Sequence, residues 1–209
     1  MRKFMFIMIL AVALEFSTVA NATLWDRGGG LIYDDDLNIT WLSDANYAGT
    51  SMNWDLALNW ADNLTYYDSV RDIEWDDWRL PTAIDENGNT PTDREARDTE
   101  LGHLFYDELG GTLWNPISAS GDPDLALFTN IQNSAYWSST FYGNYGDDYA
   151  WVTYFSSGFT REYGENAPFY AWAVRDGDVG TAPVPEPLTI FLLGAGLAGI
   201  TGFRKKLKR

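Results

Sequence analysis

The chain has 209 residues, a formal net charge of −16, 45% hydrophobic and 16% aromatic residues, and no cysteine. That length allows one domain with appendages or two small ones, and the lack of cysteine excludes a disulfide scaffold, a thiolate zinc site, a cysteine-ligated iron–sulfur cluster and a cysteine nucleophile. Between residues 23 and 182, 28 acidic residues face seven arginines and no lysine, so this stretch repels phosphate backbones and no nucleic-acid partner is expected.

Arg2 and Lys3, an apolar run over residues 4–14, and small residues Ala20 and Ala22 at the −3 and −1 positions of a cut form the three parts of a secretory signal peptide. The run is too short to span a ~30 Å hydrocarbon core. Residues 1–22 therefore read as a signal removed by signal peptidase, with an exported chain starting at Thr23.

Within the exported part, residues 31–33 and 39–42 flank a turn-rich Asp/Asn run and predict a hairpin. From Trp54, the apolar positions Trp54, Ala57, Leu58, Ala61 and Leu64 follow helical spacing behind Asn53 as N-cap. A second helix is marked by Leu101, Leu104, Phe105 and Leu109, with Gly110-Gly111 as its stop. Its start is either the Thr92-to-Glu95 capping-box pattern or a cap at Asp98 or Thr99. On this helix His103, the single histidine, points away from the apolar face and reads as a surface residue, not as a base for Ser138 or Ser139. Residues 149–155, the Ser156-Ser157-Gly158 turn, residues 159–163 and residues 169–174 predict a hairpin and a closing strand. The order strand, helix, helix, strand indicates an α+β domain over residues 23–178.

Residues 179–187 form a Pro-rich linker, followed by 16 uncharged residues over 188–203 and a basic tail that opens with Arg204, Lys205 and Lys206. As a helix that run reaches ~24 Å. The expectation is a single apolar transmembrane helix with its tail over 188–209, a transient anchor in the inner membrane with the basic residues cytoplasmic. A permanent single-span anchor is the alternative. Val184-Pro185-Glu186-Pro187, the apolar run and the basic cluster together resemble the PEP-CTERM sorting signal. The resemblance implies processing by an exosortase near Pro185, Glu186 and Pro187, and then a cell-surface or extracellular location.

A second resemblance rests on Asp77-Trp78-Arg79-Leu80-Pro81-Thr82, Glu100-Leu101, Tyr136-Trp137-Ser138-Ser139-Thr140, Ala150-Trp151, Phe155-Ser156-Ser157-Gly158 and Val174-Arg175. In this order the motifs look like the Lcl C-terminal domain family. The resemblance implies a fold of small β-sheets with two helices, similar to C-type lectins and the sulfatase-modifying enzymes, and a role in binding sulfated or other polysaccharides. The residues themselves point to scaffold: Pro81 extends Leu80, Trp78 and Leu80 can fill core, and Arg79 can fork onto a carboxylate. Tyr136, Trp137 and Ser138 read as a strand under a crowded interior.

Ligand-binding chemistry is expected in the loop that holds Tyr142, Tyr145, Asp147, Asp148 and Tyr149, where glycines, flat rings and acceptors suit sugar stacking. All but five of the 33 aromatic residues lie in the domain, more than its core should consume. Asp34-Asp35-Asp36, Asp76-Asp77, Asp122 with Asp124, and Asp147-Asp148 offer the oxygen ligands calcium selects, but they lack EF-hand spacing and the Glu-Pro-Asn or Trp-Asn-Asp triplets of calcium-dependent lectins. They read as solvated loops, with calcium the one ion they could take and no other cofactor expected. The expected function is an exported, non-enzymatic polysaccharide-binding module. A structural matrix protein and a carboxylate-dependent glycoside hydrolase are the alternatives.

Overall fold

Tight turns and short amphipathic runs, not long periodic segments, dominate this chain, and its elements are short in consequence. The computed structural model describes residues 24–181 except residue 86 and residues 144–147. Strands β1 (Leu24–Asp26), β2 (Leu31–Asp34) and β3 (Ile39–Leu42) precede helix α1 (Trp54–Asp62) and the small strands β4 (Tyr66–Asp68) and β5 (Ile73–Trp75). Helix α2 (Glu100–His103) runs into a π-helical turn (Leu104–Glu108). Strands β6 (Ala135–Phe141), β7 (Tyr149–Tyr154), β8 (Thr160–Gly164) and β9 (Val174–Asp176) complete the domain.

The sheets are antiparallel. One has order β1-β2-β3-β9, another β6-β7-β8, and β4 pairs with β5. The β2–β3 hairpin and α1 lie where the turn residues and apolar spacing predict. Asn53 caps α1, its side chain accepting from the Leu56 N–H. For α2 the cap is Thr99, whose hydroxyl accepts from the Gly102 N–H. The Asp93 pattern instead closes a local turn, accepting from the N–H groups of Glu95 and Ala96. The expected closing strand over 169–174 is displaced. Phe169 and Tyr170 make single bridges to Met52 and Tyr136, and the regular strand begins at Val174, which also bridges Arg79. This stretch is used to stitch the two large sheets together.

Trp172 sits at the centre of the core, in ring contact with Trp41, Phe128, Tyr136 and Phe155 at centroid separations of 5.2–5.6 Å. Such aromatic pairs add ~0.5–1.5 kcal/mol each beyond their buried area. Several indoles are satisfied by backbone: those of Trp172, Trp137, Trp54 and Trp78 donate to the carbonyls of Leu42, Met52, Ser138 and Trp75.

Among the described residues no helix is long and apolar enough to cross a membrane. The expected transmembrane helix over 188–209, and transient anchoring of the protein by it, are corrected accordingly. That segment lies outside the described residues, and its 16-residue run falls short of a ~30 Å core on arithmetic alone. The signal residues Ala20 and Ala22, the sorting residues Pro185, Glu186 and Pro187, and the flanking Arg204, Lys205 and Lys206 also lie outside the described residues.

Candidate functional site

The Trp78-Arg79-Leu80-Pro81 segment is framework. Trp78, Leu80 and Pro81 are buried. Arg79 forks onto Glu100 at the head of α2 at 2.7 and 2.8 Å, and onto Asp176 of β9 at 2.6 and 3.0 Å. Glu100 also accepts from the Thr82 N–H. Tyr136, Trp137 and Ser138 are buried in β6, and Arg175 forks onto Asp77 while its guanidinium lies over Trp75.

The ring-rich loop is only partly in view. Tyr145 and Asp147 lie outside the described residues. Tyr142 is half-buried and meets Trp151 edge to face at 5.4 Å, Asp148 is exposed, and Tyr149 is 37% exposed. These residues form no flat platform among the described residues.

A platform does form elsewhere, at a residue that sequence reasoning missed. Trp114 is 61% exposed, and its backbone is held at φ 70°, a left-handed conformation that is an outlier for a bulky side chain. Its N–H donates to the Ser157 carbonyl in the β7–β8 turn, which seats the indole on Phe159 at 5.5 Å and 24°. The Arg94 guanidinium lies 5.1 Å from the Phe159 ring, and the Thr160 N–H pins the Arg94 carbonyl. Arg94 makes no ion pair among the described residues. Next to it is a depression of about 660 Å³ lined by Asp93, Arg94, Glu95, Arg97, Asp98 and Leu113. A second depression of about 730 Å³ shares Arg97 and Asp98 with the first and reaches Asp36 and His103. The clue in the sequence was Trp114 between Gly110-Gly111 and Asn115-Pro116, the same ring-in-turn composition as the other loop.

At the far end of that surface lies a mixed acid–imidazole cluster. His103 has a side chain only 15% exposed, and its Nε2 is 3.3 Å from Glu108 Oε1 and 3.9 Å from Asp36 Oδ2; its Nδ1 faces Asp107 Oδ2 at 3.6 Å. The surface position expected for His103 is thus corrected. Helical spacing assumed 3.6 residues per turn, whereas the π-helical turn closes with Leu109 N–H donating to Leu104 O. That wider turn swings Glu108 beneath His103. Asp34, expected in a solvated loop, is fully buried, accepting from Leu37 N–H at 3.0 Å and from the Trp41 indole at 3.3 Å. One ligand atom each from Asp34, His103 and Glu108 lies within 4.8 Å of the others. Burial pushes the Asp34 carboxyl up to about 6, with Glu108 adding to the rise against the Leu37 N–H and His103. For His103, burial disfavours the charged ring, but Glu108, Asp34 and Asp107 outweigh it and raise its pKa above the ordinary value.

Fold and surface together define a small, anionic, aromatic-cored α+β domain whose exposed chemistry is a ring platform beside a polar groove. The chain belongs to the Lcl C-terminal domain family, whose model matches residues 30–175. The PEP-CTERM protein-sorting motif matches residues 183–206, so this is an exported, exosortase-sorted surface or extracellular protein. No curated protein and no solved structure matches the chain.

Proposed function

We propose that this domain is a non-enzymatic binding module for a polysaccharide, either of the producing cell's own matrix or of a neighbouring surface. The observation that carries the reading is Trp114, a large ring left exposed on Phe159 at a strained backbone position, beside a groove of carboxylates and arginines. An apolar sugar face stacks on a flat indole, while charged side chains in the groove accept from and donate to hydroxyls. Strained residues persist where surrounding structure holds them, and they cluster at ligand contacts. With 28 acids against seven arginines across residues 23–182, the field favours neutral chains over sulfated ones.

The test is a glycan array on the exported chain, followed by titration of the best hit into wild type and Trp114→Ala. The expected result is a neutral polysaccharide whose binding is insensitive to salt and weakens by about 1 kcal/mol, roughly fivefold in Kd, in the variant. Equal affinity in the two proteins, or an array without hits, would remove the platform from consideration.

A further inference from the structure

Two buried carboxylates, Asp34 and Glu108, converge on one imidazole, and no arginine or lysine touches either of them among the described residues. Even with His103 protonated, the group keeps an excess of negative charge in a place where unpaired charge is costly. Glu108 is 2% exposed, its Oε1 faces His103, and its Oε2 is buried with no hydrogen-bond partner. Buried carboxylate oxygens normally have partners, so Glu108 Oε2 has coordinating capacity that no protein group among the described residues uses.

We propose that Asp34, His103 and Glu108 bind a single divalent transition cation of the zinc type. The imidazole nitrogen argues against calcium and magnesium, which take oxygen ligands, and the absence of thiolate argues against soft ions. A tetrahedral ion with ~2.0–2.1 Å bonds holds its ligand atoms ~3.3 Å apart; Nε2 and Oε1 already have that separation, while the Asp34 oxygen, within 4.8 Å of the other ligand atoms, closes in on binding. The dication balances the two carboxylates, and a Glu108 carboxylate that binds it through both oxygens gives Oε2 a partner.

The surroundings have the character of a supporting shell. Asp107 faces Nδ1 on the side away from Glu108, the position from which a carboxylate orients a metal-bound histidine and leaves Nε2 for the ion. The Leu37 N–H and Trp41 indole each hold one oxygen of Asp34. Asp36, exposed and 3.9 Å from Nε2, is placed to act as a fourth ligand, and the depression that His103 lines provides an entry path. The assignment is independent of the sugar-binding reading.

The exported chain, stripped with chelator and dialysed, is titrated with zinc chloride by calorimetry, with melting followed in parallel. One equivalent should bind and raise Tm. Glu108→Gln and His103→Gln should each weaken binding by at least about tenfold, and Asp107→Asn, which touches only the supporting shell, by about tenfold. Because Glu108→Gln could alter folding by itself, cobalt(II) added to the wild type supplies a second readout: visible absorption bands that zinc abolishes. No zinc uptake by the wild type, or uptake unchanged in both ligand variants, would overturn the proposal in favour of a protonated histidine–carboxylate network.

Discussion

Trp114 and Asp68 show how one residue can be set either for exposure or for burial. A tryptophan at φ 70° carries on the order of 1–3 kcal/mol of backbone strain, which glycine would release. Trp114→Gly should therefore melt at or above the wild-type temperature while binding polysaccharide about fivefold more weakly, as expected for Trp114→Ala. A pure scaffold role would instead give a lower Tm, as a thermal scan would reveal. Asp68 is the opposite case. It is fully buried in the β4–β5 turn, accepting from the Val70 and Arg71 N–H groups and from the Arg71 guanidinium at 2.6 Å. Burial works against its charge, but Arg71, the turn N–H groups and the Trp75 indole outweigh it and hold its pKa below the ordinary 3.8. A depressed carboxylate contributes stability that is present above its unfolded pKa and lost as pH falls through the folded value. Asp68→Asn should cost ~3 kcal/mol at neutral pH by leaving the Arg71 charge buried without its carboxylate, and the Tm gap to wild type should narrow as pH falls below the ordinary carboxylate value of 3.8 and through the lowered folded value.

At the scale of elements, α2 and the turn that follows it carry the most information. Gly102 sits inside the helix, where alanine would ordinarily gain ~1 kcal/mol from propensity. Here a Cβ would overlap the Ala96 carbonyl and come within 2.9 Å of the capping Thr99 hydroxyl. The sign therefore reverses. Gly102→Ala should destabilise by about 1–3 kcal/mol, measurable by urea unfolding, and an increase in stability would show that the Ala96 loop yields easily. The same close approach brings Asp93, Arg94, Glu95 and Arg97 against the helix and so builds the groove beside Trp114. Arg79 joins the helix head to β9, which couples the groove to the sheet that closes the domain.

Across the whole molecule, acidic loops surround a core, and among the described residues five arginines, Arg27, Arg71, Arg79, Arg97 and Arg175, form seven ion pairs with carboxylates. Arg94 and Arg161 make none among the described residues and lie instead over Phe159 and Tyr163. A surplus of negative charge keeps such a surface hydrated and soluble outside the cell. Processing is a property of the entire chain. The sorting-motif match over residues 183–206 leads to the expectation that intact mass of the released protein begins at Thr23 and lacks the basic cluster from Arg204 onward. A released product that still carries that cluster would contradict exosortase processing.

Much of this was legible locally. The β2–β3 hairpin, α1 with its Asn53 cap and strands β6 to β8 depend on turn chemistry, capping and periodicity within a dozen residues, and the sorting motif over residues 183–206 is equally local. Strands β1, β4 and β5, three residues each, were not legible, because so short a run has no period and exists only through its partner. The Trp114 platform likewise depends on Phe159 and Ser157, more than 40 positions away. The chemistry at His103 was decided furthest from the sequence. Its identity was plain, but its neighbours were set by a π-helical turn that brings Glu108 beneath it and by a hairpin that delivers Asp34 from 69 positions earlier. Composition by itself determined an anionic, aromatic-rich domain without thiol chemistry, and the local sorting motif its export. Which rings stay exposed and which acids are buried together was decided by tertiary packing, because both depend on contacts between segments that the linear order keeps apart.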